Sequence, residues 1–225
     1  MSDYADLCEM YGREPNDPDF IDDLIAEISS ENMDSDYIWY EENEDKDHYQ
    51  ILQKHFKSID SIVELDVSPK VQFSLLVMLH GHVISALEGY LAGKFIHIVT
   101  NSEELIRKLV ETDPEFSKQK FSMKEIFEKK DSLKITVSTY LKNLIFHDLK
   151  KIKPMYKEVL AHDFGDISWL FKDVEIRHDC VHRAGYDKEN NKVDISVDSI
   201  KSMLSKVKIL TASVEDTMNS LREDS

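Results

Sequence analysis

Apolar residues recur at three- and four-residue steps along most of the chain, the period of α-helices that bury one face. The longest such segment opens at Ser68-Pro69 and runs through Phe73, Leu76, Leu79, Val83, Leu87, Tyr90, Leu91 and Lys94. Leu75, Met78 and Ile84 widen the stripe, which predicts a helix contacted on more than one side, the centre of a bundle. Gly81, Gly89 and Gly93 cost helix propensity there and are read as points of close helix approach. Before it, residues 48–64 predict a short helix burying Ile51, Phe56, Ile59, Ile62 and Val63. After it come a helix over 102–113 capped by Ser102, one from Ser122 to Lys130, and one from Ser132 to Asp148. Pro154 is read as opening a helix to His162, and Asp166 as capping one that runs to Ala184 and stops at Gly185. Tyr186–Ser196 reads as a loop, and Val197–Leu221 as a final amphipathic helix. An earlier helix starts at Asp17-Pro18, with Phe20, Leu24 and Ile28 on one face.

The resulting expectation is an all-α helical bundle. Six Gly and five Pro in 225 residues disfavour a turn-rich β fold, and 41% hydrophobic residues are enough for a packed core. No run of eighteen apolar residues occurs. Phe73–Val99 is interrupted by His80, His82, Glu88, Lys94 and His97, so no membrane partner is expected. The acidic N-terminus lacks the features of a signal peptide, which predicts a cytoplasmic protein. Cys8 and Cys180 are expected to be free thiols.

Charge divides the chain into an acidic N-terminal helical extension, 1–47, and a helical domain, 48–225. The net charge is -16, yet residues 1–47 carry 17 acidic residues against Arg13 and Lys46, a balance of -15. The body is therefore near neutral, with basic runs such as Lys150, Lys151 and Lys153, and need not repel a polyanion. Tyr37-Ile38-Trp39-Tyr40 beside the acidic run 41–47 reads either as a docking segment or as aromatics packed on the body.

One segment carries chemistry: Ile176-Arg177-His178-Asp179-Cys180-Val181-His182-Arg183-Ala184-Gly185. Arg177 and His182 are five apart, roughly 140° around a helix, and can reach one cleft if the helix lies along its wall. Metal-free RNA cleavage needs a group that moves a proton near neutral pH and a fixed cation that holds the phosphate. Histidine suits the first task and arginine the second. His178 and His182, four apart, have the spacing of two helical metal ligands. No third ligand stands at a recognisable spacing, so neither a metal nor any other cofactor is expected. A plainer reading stays open: Arg177 pairs with an acid such as Asp173, and His182 and Arg183 are cations favoured at a helix C-terminus.

The string Arg-His-Asp-x-Val-His-Arg-x-Gly, late in an all-α chain and just before a long final helix, resembles the HEPN superfamily. Arg177 matches that family's arginine, His178 its polar follower and His182 its histidine, and the resemblance extends over residues 69–222. It implies a HEPN-like bundle that homodimerises, so that two motif helices build a composite cleft. It also implies a metal-independent endoribonuclease, serving as a toxin or as an effector of antiviral or stress defence and leaving a cyclic phosphate and a 5′-hydroxyl. Arg177 would clamp the phosphate, His182 would handle the proton, and His178 would assist. Arg183 and Tyr186 are candidate substrate contacts. Some members of the family are instead RNA- or nucleotide-binding modules or scaffolds. The competing expectation is accordingly a non-catalytic interaction module whose acidic 1–47 arm docks on a protein partner, such as an antitoxin. In a hybrid of the two, the arm lies over the basic cleft and holds it off.

Overall fold

The computed structural model describes residues 48–118 and 133–223. These residues are helical, with no strand among them: α1 His48–Val63, α2 Pro69–Thr100, α3 Glu103–Thr112, α4 Pro114–Ser117, α5 Leu133–Lys142, α6 Leu149–Leu160, α7 Ser168–His182 and α8 Val197–Glu223. All fall within one unit, Glu44–Ser225. The helices expected at Asp17 and at Ser122, the Tyr37–Tyr40 cluster and Cys8 lie outside the described residues.

The 32-residue α2 is the central helix that its wide stripe predicts. It packs against α1, α3, α5, α7 and α8. Leu76, Leu79, Val83, Leu87, Tyr90 and Leu91 are buried, as are Phe95, Ile96 and Val99. Past its exposed first turn, residues 69–72, what α2 leaves fully exposed is a single line, Ser74, Met78, His82, Ser85 and Gly89, at three- and four-residue steps. Its length and composition alone would allow a membrane crossing, a test that the core helix of a bundle also passes.

Buried polar groups on α2 are matched. Lys94 Nζ donates to Glu215 Oε2 at 2.9 Å and Tyr90 Oη to Glu215 Oε1 at 2.7 Å, tying α2 to α8. Tyr156 Oη donates to the Leu91 carbonyl at 2.7 Å, tying α6 to α2. A charge this enclosed costs several kcal/mol unless paired, so Glu215 is required wherever Lys94 is buried.

Three boundaries differ from the pattern. The helix expected over 132–148 ends at Lys142. There the Asn143 side chain donates to the Thr139 carbonyl at 3.0 Å, and the chain turns through 143–148. Asn competes for backbone groups in this way and so favours helix ends. The turn sends Phe146 into the core and leaves His147 partly exposed. Pro154 does not open its helix but sits inside α6, which begins at Leu149. It lies on an exposed face, where the carbonyl deprived of a partner can meet water. Finally, α7 ends at His182, two residues early, because Ala184 (φ 54°) and Gly185 (φ 86°) leave the helical region. Ser102, by contrast, caps α3 as its sequence suggests, accepting from Leu105 N at 3.3 Å.

Candidate functional site

The motif lies in the last two turns of α7. Asp166 Oδ1 accepts from Ser168 N at 2.9 Å and so starts the helix from one residue before its N-cap, Ile167. Of α7's own side chains only Leu170 and Cys180 are buried, so α7 is a half-open helix resting on α2. Its end is fixed by two bonds to one carbonyl: Arg183 N and Gly185 N each donate to Asp179 O at 3.0 Å. Gly185 cannot be replaced cheaply. Its positive φ disfavours a side chain, and a Cβ there would run into Val77 and Phe73 of α2.

Arg177 and the two histidines are sent in different directions. His178 and His182 are exposed, with ring centroids 4.7 Å apart. Arg177 turns inward, its side chain 16% exposed, and brings Nη2 to 4.0 Å from Glu88 Oε2 on α2. The acid it meets is therefore Glu88 rather than Asp173. His147, on the turn before α6, places Nδ1 2.8 Å from the same carboxylate oxygen. The contact is short but off the line a hydrogen bond needs. His147 Nδ1 and Arg177 Nε are both buried without a hydrogen-bond partner. Three elements thus bring an acid, an imidazole and a guanidinium to one spot beneath the motif, beside a small apolar cavity lined by Ile84, Leu87, Leu91, Phe146 and Leu170.

The other candidates are placed as follows. Arg183 forms an ion pair with Asp179, one turn back on its own helix. The Tyr186 ring sits edge-on to Phe73, centroids 5.9 Å apart, and its backbone forms an isolated bridge with Lys192. The 186–196 loop thereby folds back against the start of α2. Burial, and secondarily Asp179, push the Cys180 thiol up to about 11, so it is a packing residue and not a nucleophile. His80 is buried and its Nε2 lies 2.9 Å from the Asp173 carbonyl, joining α2 to α7. Burial lowers its pKa against the weaker upward pull of that bond.

Among the described residues no group of three or more His, Cys, Asp or Glu converges as a metal site. Around the motif apolar side chains are exposed. Val181, 51% exposed, lies against Gly81 of α2, and Met78, one turn before Gly81, is 63% exposed. The participation of His147 was hidden from a reading along the chain, where it looks like one half of a helix-end pair with Asp148. Glu88, a lone acid in an apolar stretch, was the available signal.

No family model, no curated protein and no solved structure matches the chain.

Proposed function

We propose that the protein is a metal-independent endoribonuclease of the HEPN type, acting as a homodimer through the outer face of α7. The observation that carries the reading is the juxtaposed, solvent-facing pair His178 and His182, on the helix whose Arg177 is held toward a separate acid. Two imidazoles this close can divide the proton work. One takes the proton of the ribose 2′-hydroxyl as its oxygen attacks phosphorus, and the other delivers a proton to the departing 5′-oxygen. The products are a cyclic phosphate and a 5′-hydroxyl, with no water consumed. Arg177 would stabilise the charge that builds on the phosphoryl oxygens. The exposed Met78 and Val181 beside the motif support a self-association that would bring a second set of these groups to the same cleft.

A second reading is favoured by one specific feature: both arginines of the motif already face acids, Arg177 toward Glu88 and Arg183 paired with Asp179. A chain in this state suits a binding or interaction module, with residues 1–47 as the docking arm. The test is a cleavage assay on mixed cellular RNA with chelator present, comparing wild type, His182→Ala and Arg177→Ala. Chelator-resistant cleavage lost in both variants supports the nuclease. RNA bound but not cut, or not bound at all, favours the module.

A further inference from the structure

The proposed cleavage chemistry needs Arg177 at a phosphate, and the structure holds it elsewhere. His178 and His182 stand exposed on the outer face of α7. Arg177 leaves the helix roughly 100° from His178 and roughly 140° from His182. Its side chain, 16% exposed, turns toward Glu88 of α2. In this pose the guanidinium lies beneath the face that the two histidines occupy.

The inward pose serves Arg177 poorly. Its Nε is buried with no hydrogen-bond partner, and Nη2 stands 4.0 Å from Glu88 Oε2, beyond hydrogen-bond reach. Charge rather than hydrogen bonding holds the guanidinium there. A phosphate, by contrast, meets the planar fork with two parallel N–H···O bonds. Glu88 loses little when the guanidinium leaves. His147 Nδ1 lies 2.8 Å from the same carboxylate oxygen, and the Glu88 side chain is 25% exposed.

We infer that Glu88 takes the place of the RNA phosphate at Arg177, as a positioning residue that keeps the guanidinium out of the cleft until substrate displaces it. The inference rests on the nuclease reading of α7 for the identity of the displacing group, a phosphodiester. The exchange makes and breaks no covalent bond. The phosphate takes the guanidinium, and the His147 imidazole stays at the carboxylate. Glu88 thus acts through Arg177 and touches no reacting atom. Apparent affinity for RNA is the intrinsic affinity scaled by the fraction of chains with Arg177 outward.

The test measures the full chain in two ways. One is binding of a 2′-O-methyl RNA oligonucleotide, which lacks the attacking hydroxyl and is not cut. The other is cleavage of the unmodified oligonucleotide with chelator present. Glu88→Gln should bind about tenfold tighter than wild type, the gain expected if about one chain in ten holds Arg177 outward. It should lower KM by a similar factor and leave kcat nearly unchanged. Glu88→Asp keeps the charge but draws it back by one methylene, and should give a smaller gain in the same direction. Glu175→Gln removes the same charge from the exposed face of α7 and should bind as wild type does. In Arg177→Ala the Glu88→Gln change should add nothing. Circular dichroism confirms that each variant is folded. Glu88 variants that bind no tighter than wild type, a gain that persists without Arg177, or an equal gain in Glu175→Gln would each overturn the inference. Cleavage lost in Arg177→Ala but unmoved by the Glu88 variants would overturn it and leave the nuclease standing. Tighter binding in Glu88→Gln with no cleavage by any form would overturn the nuclease and support the displacement. RNA bound by no form would overturn both.

Discussion

Arg177 on α7 and Glu88 on α2 face each other at 4.0 Å, and Glu88 is also the residue on which His147 closes. One carboxylate thus answers for two basic groups from two other elements. Removing it leaves a mostly buried guanidinium without a counter-charge. Glu88→Ala should lower stability by about 1–2 kcal/mol, a figure held down by the partial exposure of both partners. Arg177→Ala should then cost less in the Glu88→Ala background than alone. Urea unfolding of the four members of the cycle measures this; strictly additive losses would show that the two side chains do not interact.

Gly185 joins the motif helix to the loop that carries Tyr186. A methyl group there meets the positive φ and the side chains of Val77 and Phe73 together. Gly185→Ala should destabilise by at least about 1–3 kcal/mol, the cost of backbone strain alone. A melting temperature equal to that of the wild type would contradict this.

His80, His162 and, with help from His55, His82 have pKa values lowered chiefly by burial. Each takes up its proton more readily in the unfolded chain. Their contribution to stability is thus complete above the ordinary histidine range and is lost as pH falls through about 6.5 toward the folded-state values. Urea midpoints at pH 7.5, 6.5 and 5.5 should decrease in that order, and His80→Gln should flatten the trend. Midpoints that rise with acidity would refute the assignment of these groups.

The self-association proposed for the outer face of α7 would make Val181 a sensitive position, because its side chain is exposed and lies beside Gly81 of α2. Val181→Glu should leave the helical content intact, shift sedimentation to the monomer and reduce RNA cleavage at least tenfold. A variant that still sediments as a dimer would place the interface elsewhere.

The helices were legible where one face is buried and the ends are chemically marked, as for α2 and for α3 with its Ser102 cap. Misjudged boundaries came from competition that periodicity does not register. Asn143 bonds back to the Thr139 carbonyl and ends α5, although Leu144 and Ile145 continue the apolar pattern. In the motif, the spacing of His178 and His182 predicts their contact, since residues four apart share a helix face. The inward turn of Arg177 depends on Glu88, 89 positions earlier, and on a turn that brings His147 beneath α7. No local pattern encodes a meeting of three distant elements.

The solvent line of α2 has a bearing on how this protein can change. Elsewhere around that helix, past its first turn, a substitution meets one of the five helices packed on it. Along Ser74, Met78, Ser85 and Gly89 the fold itself asks for almost nothing. Mutational drift should therefore run freely there, and a residue kept on that line across descendants of this chain would be kept for what it meets outside the chain.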